Sequence, residues 1–146
     1  MIVQKYPHLM APFSVKGVHF KNHIFLAPCA LTHGTYGAPN DLGIEYIEEK
    51  ARGGVAQITQ GNITGPGGYG DNGGHFNRYF TNCFTDMAFT ELATAIKEHG
   101  AVASAEINHA GFMAGLAENS NTPPMSSMGF IREDGVGVVQ MTEQMI

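Results

Sequence analysis

The stretch HIFLAPCALTHG, residues 23–34, decides between the two architectures open to this chain. HIFLAPCA (23–30) is an almost continuous apolar run of strand length, ended by a proline and small residues. Such a run suits a strand covered on both faces, as in a parallel sheet. Helices and strands alternate after it, so a doubly wound sheet competes with a (β/α) barrel. A dinucleotide-binding doubly wound sheet needs G-x-G-x-x-G directly after its first strand. Here that turn reads PCALTHG, which lacks the pattern. A barrel instead collects small and polar groups at the C-terminal ends of several strands. APCA (27–30), QGN (60–62) and EINHAG (106–111) stand at such ends. The barrel is the expected fold.

The rest of the chain supports that order. FSVKGVHF (13–20) alternates around Lys16-Gly17 and predicts a small hairpin feeding the first strand. THGTYGAPN (32–40) reads as a loop. DLGIEYIEEKARGG (41–54) predicts a helix capped by Asn40 and stopped by Gly53-Gly54, with a stripe of Leu42, Tyr46, Ile47 and Ala51. VAQITQGNIT (55–64) is the second strand, followed by the glycine loop GPGGYGDNGG (65–74). TDMAFTELATAIKEHG (85–100) predicts a helix capped by Thr85, with Phe89, Leu92, Ala93 and Ile96 on one stripe. AVASAEINHAG (101–111) is the third strand. Residues 112–146 look mostly irregular, and MTEQMI (141–146) reads as the start of a helix with Thr142 as its cap.

Composition excludes several classes. The chain has 146 residues, 43% of them hydrophobic and 14% charged, which fits a single globular domain. Its net charge is -5, and its eight Lys and Arg are scattered, so there is no basic footprint for nucleic acid or membrane. No apolar run approaches a membrane span. The start, MIVQKYPHLMAPF, lacks a continuous apolar segment, so no secretory signal is expected. The two cysteines, Cys29 and Cys83, form no CxxC pair, which points to reduced thiols and a cytoplasmic location.

The strand ends carry the candidate chemistry. Ala27, Pro28, Cys29 and Ala30 are compact, and Gly61 follows Gln60, so a flat ligand can approach the backbone. Period-two alternation puts Glu106 and Asn108 on one face of the third strand, with His109 just beyond. Each has a plainer reading. Pro28 equally suits the end of an edge strand, Cys29 a small buried hydrophobe, and His109 a local hydrogen bond. The glycine loop has no G-K-[ST] ending, so it is not a Walker loop. His75, His99 and His109 show no metal-ligand spacing, so neither a metal site nor a metal-dependent hydrolase is expected.

Three segments, KNHIFLAPCALTHG, APNDLGIEYIEEKARGGVAQITQGNIT and FTELATAIKEHGAVASAEINHAG, together resemble the N-terminal part of the old yellow enzyme family. The family pattern is a KNRIxxAPM-like first strand, a helix ending in GG, a second strand ending near E-G/A-T, and Q-L-x-H-A-G-R on the third. The resemblance runs in order over about residues 8–146. It implies a (β/α)8 barrel of which this chain covers about the first three βα units. It also implies an FMN-dependent oxidoreductase that moves hydride from NAD(P)H through FMN to an activated alkene, an enoate, enone or dienoyl thioester. By position, Ala27, Pro28, Cys29 and Ala30 would lie along the flavin ring and Gly61 would contact it. Glu106 takes the place of a glutamine at the pyrimidine edge, with Asn108 and His109 beside it.

Three positions depart from the pattern. Ala30 stands where Thr or Cys is usual, Phe112 where Arg follows HAG, and Glu106 where Gln is usual. An ionised carboxylate only accepts hydrogen bonds, so Glu106 suits the flavin N3–H, and Asn108 would have to supply a donor. The resemblance puts the substrate-binding His/His or His/Asn pair, the phosphate site and any iron–sulfur cluster on later segments, so no catalytic residue is expected within residues 1–146. The chain then reads as a fragment, inactive alone and with weak or no FMN binding. Two other readings stay open: a non-catalytic remnant stable only as a homo-oligomer, and a flavin-free phosphate-binding barrel enzyme.

Overall fold

The computed structural model of the chain describes residues 5–30, 34–35, 38–64, 83–117 and 121–145. The glycine loop 65–74 lies outside them. A short helix α1 (Pro7–Met10) leads into the hairpin β1 (Phe13–Val15) and β2 (Val18–Phe20). Its turn is the expected Lys16-Gly17, with φ of 47° and 84°. Two successive positive φ values match the right-handed twist of the flanking strands, and glycine takes the second at no steric cost. Phe13 stacks on Phe20 at 4.9 Å and on His23 at 4.4 Å, and Phe20 lies 5.3 Å from Phe25. The hairpin is thereby fixed to the start of β3 (Phe25–Ala30).

The minor strands β4 (Gly34–Thr35) and β5 (Ala38–Pro39) pair antiparallel within the stretch expected as a loop. Helix α2 (Asp41–Arg52) comes next. Asn40 caps it as expected, its Oδ1 accepting from Gly43 N–H at 3.0 Å. Then come β6 (Gln57–Thr64), α3 (Cys83–Glu98) and β7 (Val102–Asn108). Gly100, at φ 66°, ends the turn after α3.

Strands β3, β6 and β7 form one parallel sheet in that spatial order. The core lies on one face of it. Ile47 and Ala51 from α2 meet Ile58 from β6, Leu92 and Ile96 from α3, and Ala101. Both helices thus cover the same face, while sequential strands are neighbours. A doubly wound sheet reverses its strand order and puts helices on both faces. The winding here is that of a (β/α) barrel, three strands into the turn.

Two helix expectations shift in detail. In α2 the buried stripe is Gly43, Ile47 and Ala51, spaced by four, whereas Leu42 and Tyr46 are exposed. Tyr46 instead lies under the Lys50 ammonium at 4.5 Å. Thr85 is not a cap: α3 begins at Cys83, and Thr85 is fully buried within it.

The tail departs further from the sequence reading. After a 3-10 turn (Gly111–Met113), residues expected to be irregular form a second small sheet. Its central strand β10 (Gly137–Gln140) pairs parallel with β8 (Met125–Ser126) and antiparallel with β9 (Phe130–Ile131). The predicted terminal helix appears as one 3-10 turn, Glu143–Met145.

Candidate functional site at the strand ends

The face of the sheet opposite the helices is polar at mid-height. Gln57 Nε2 donates to Ser104 Oγ at 2.9 Å and to Thr59 Oγ1 at 3.1 Å. Thr59 and Ser104 share a hydrogen bond of 2.8 Å. By alternation Glu106 and Asn108 continue that face beyond Ser104.

Above this layer the strands stop alternating simply. Leu26 pairs with Ile58 and Cys29 with Gln60, so Ala27 and Pro28 together oppose Thr59. Gln60 pairs with Ala105 and Ile63 with Ile107, so Gly61 and Asn62 together oppose Glu106. Each is a β-bulge, one extra residue that bends its strand and re-aims the side chains beyond it. The first explains how β3 tolerates Pro28, because a bulge spares the proline a ladder hydrogen bond that it cannot donate.

The two bulges bring three strands together. Gly61 is buried, and a methyl group built on it would lie 2.7 Å from Pro28 Cβ. The same methyl would meet Glu106 Oε2 more closely still, with Glu106 Cβ at 3.4 Å. Pro28, Gly61 and Glu106 therefore stand in a row across β3, β6 and β7, with the Glu106 side chain laid over the bare Cα of Gly61.

The other expected site residues distribute around this row. Ala27 is exposed within the first bulge, and Ala30 is in register with Gly61. Cys29 is exposed on the outer strand rather than a buried hydrophobe. It is in register with Gln60, which points to the helix side among Ile63, Phe89 and Leu92. The backbone of Cys29, rather than its thiol, is what this register leaves near the site. Asn108 is half-buried and level with Thr64. Among the described residues neither Glu106 nor Asn108 has a side-chain partner. His109 is exposed and Nδ1 accepts from Gly111 N–H at 3.0 Å, which closes the HAG turn and leaves Nε2 free to carry the proton.

Sequence reasoning named Gln60 only as a polar strand-end neighbour of Gly61, and it missed Arg132. Gln60 is buried and its amide donates to Gly61 O at 3.0 Å, bracing the bulge from behind. Arg132, next to β9, donates from Nη1 to Phe112 O and Ala114 O, both at 3.0 Å. Its guanidinium also grips Asp134, whose carboxyl it holds below the usual range, with help from Val136 N–H. The turn that carries Phe112 in place of an arginine is thus pinned by an arginine from another element. A signal for this existed in the Asp134-Gly135 turn dipeptide, which marks the hairpin that delivers Arg132.

Among the described residues no three His, Cys, Asp or Glu side chains cluster as metal ligands, and no helix is long and apolar enough to cross a membrane. No protein-family profile and no curated protein sequence matches the chain. Solved structures do. Old Yellow Enzyme from Pichia sp. AKU4542 superposes with a TM-score of 0.81 at 15% identity, over 94% of this chain and 38% of that one. Morphinone reductase in complex with tetrahydroNAD gives 0.78 at 13%, over 94% and 42%. Histamine dehydrogenase from Rhizobium sp. 4-9 gives 0.80 at 18%, over 97% and 22%. The chain therefore spans less than half the length of each of these structures, and it has, in part, the (β/α)8-barrel fold of the old yellow enzymes.

Proposed function

We propose that residues 1–146 form the first part of an FMN-dependent oxidoreductase, and that the row Pro28–Gly61–Glu106 with Asn108 is its half of the flavin site. The observation that carries this reading is the notch at Gly61. A buried strand end without a side chain sits between a rigid ring and a carboxylate that has no side-chain partner among the described residues, at the end of the strands where barrels bind ligands. The surroundings fit a flat heterocycle whose edge offers both donors and acceptors.

The residues divide the work by their hydrogen-bonding capacity. Glu106, ionised, accepts and would take an imide N–H; Asn108 carries both a donor and an acceptor and would take a neighbouring carbonyl. The backbone from Ala27 to Ala30 and the compact Pro28 ring form a wall that keeps side chains off the ring plane. His109 holds the turn that ends β7, which fixes where Asn108 stands. Bound FMN supplies the hydride chemistry between NAD(P)H and an activated alkene. Two of the similar structures, a reductase bound to tetrahydroNAD and a dehydrogenase, support this class of reaction. The substrate, the choice of NADH or NADPH and any iron–sulfur cluster belong to residues outside this chain in the proposal.

The test is direct. The full-length protein carrying these residues is purified and its visible spectrum recorded, then titrated with FMN and assayed for alkene-dependent NAD(P)H oxidation. Stoichiometric flavin and turnover are expected. A colourless protein that binds phosphorylated ligands but not FMN would favour a flavin-free phosphate-binding barrel instead.

A further inference from the structure

We infer that Gly61 is a positioning residue: its missing side chain is the seat of Glu106, and this seat selects a ligand that carries an imide N–H. The inference rests on the flavin reading for the identity of the ligand, and on the geometry of β6 and β7 for the seat itself.

The two contacts of the notch differ in kind. A Cβ on Gly61 would meet Pro28 Cβ at 2.7 Å and, nearer still, Glu106 Oε2. Pro28 cannot yield, because its ring is locked to the backbone of a bulge. Glu106 can, because the clashing atom is the far end of a flexible side chain. Any residue larger than glycine at position 61 therefore displaces the carboxylate, and it also presses on Pro28, a contact that only a backbone shift relieves. The bulge makes the seat specific to this residue, since Gly61 and Asn62 share the one opposing position of Glu106. Gln60 holds the Gly61 carbonyl from the helix side, which resists a slide of the bulge.

A seated carboxylate has a chemical consequence. With no partner among the described residues, Glu106 presents only acceptor lone pairs to a ligand. It rewards an N–H at that place and penalises a methylated nitrogen, which would leave the charge unpaired. Gly61 thus sets selectivity without touching the atom selected.

The experiment compares FMN with N3-methyl-FMN as probes in full-length wild-type protein, Gly61→Ala, Glu106→Ala and the double variant. Wild type should prefer FMN by about tenfold or more, the usual worth of a hydrogen bond to a charged group. Gly61→Ala should lose most of that preference, and the double variant should show no less preference than Glu106→Ala alone. Equal weakening of both probes by Gly61→Ala, with the preference kept, overturns the inference. Urea unfolding of the same four apo proteins decides the seat independently of any ligand. Gly61→Ala should destabilise less in the Glu106→Ala background than in wild type. Additive effects there overturn the seat, whereas a wild type that binds neither probe but shows this coupling overturns only the flavin reading.

Discussion

Glu48 on α2 and His99 after α3 are joined by a hydrogen bond of 3.0 Å from Nε2 to Oε1, at the end of the sheet away from the candidate site. Arg52 Nη2 reaches the same carboxylate at 2.7 Å, and Lys21 Nζ donates to the His99 carbonyl at 2.6 Å. The bond from His99, then that from Arg52, lowers the Glu48 carboxyl below its ordinary value of 4.5. A depressed carboxylate stabilises the fold above the unfolded value and loses that contribution as pH falls through the folded one. Glu48→Gln should therefore be less stable than wild type at pH 7 and converge with it only as pH falls through the depressed folded value, below the ordinary 4.5, and the gap at pH 7 should narrow in high salt. Urea midpoints across that range check it.

Under the proposed flavin reading, Glu106→Gln in the full-length protein should raise the midpoint potential of bound FMN. Removing a negative charge beside the ring favours the electron-rich reduced state. A hydrogen bond to a charged group is worth about 1.5–3 kcal/mol, and about 30 mV corresponds to 1.4 kcal/mol for two electrons. The expected shift is on the order of tens of millivolts, measured by dye-coupled reduction, and an unchanged or lower potential counts against the assignment.

Buried Asn22 ties the start of β3 to the exit of α2. Its Nδ2 donates to Gly54 O at 2.8 Å and its Oδ1 accepts from Ile24 N–H at 2.9 Å. Asn22→Ala strands both backbone groups and should cost about 1–3 kcal/mol. Asn22→Asp keeps one acceptor but faces a carbonyl with a carboxylate, so it should be no milder. Denaturant melts distinguish either from a neutral change.

The rotated stripe of α2 has a simple mutational signature. Ile58→Ala, at the centre of the core, should cost about 2–5 kcal/mol. Leu42→Ala, which the sequence stripe would have placed in that core, should change stability by only about 0.5 kcal/mol or less, because Leu42 is 55% exposed. Equal losses from both would mean that α2 packs on the face read from the sequence.

Residues 1–146 produced alone should self-associate and bind FMN weakly. Strands β3 and β7 are the outer strands of the sheet, and Ile107 on β7 is 65% exposed. Unpaired edges of this kind recruit further strands. Sedimentation velocity and the visible spectrum check this expectation, and a yellow monomer would refute it.

The main sheet was legible because its signals are long. Strands of six to eight residues and helices of twelve and sixteen leave room for periodicity, caps and stops to agree. Asn40 and Lys16-Gly17 were readable because a cap and a tight turn each rest on one residue's chemistry. The tail was not, since β8 and β9 are two residues each, too short for any period. Leu42 and Tyr46 misled for another reason: single apolar residues are common on surfaces, Tyr46 lies under Lys50, and hydrophobicity alone does not separate that from burial. At the site, residue types pointed to Gly61 and Glu106, but nothing in a linear pattern says that one sits upon the other.

The bulges carry a consequence for how this chain can change over time. In an unbroken strand a substitution alters one side chain and leaves the rest in place. Here one surplus residue after Leu26 is taken up by the bulge, so that Cys29 and Ala30 keep their pairing with Gln60 and Gly61. Losing Ala27 would leave that pairing in place but flatten the strand, and it would bring Pro28 into the ladder opposite Thr59, where it has no N–H to donate. A single-codon deletion would then act through the backbone, straightening the strand at Pro28, the residue that closes one side of the Gly61 notch. The length of this strand end, as much as its composition, is part of what the site is made of.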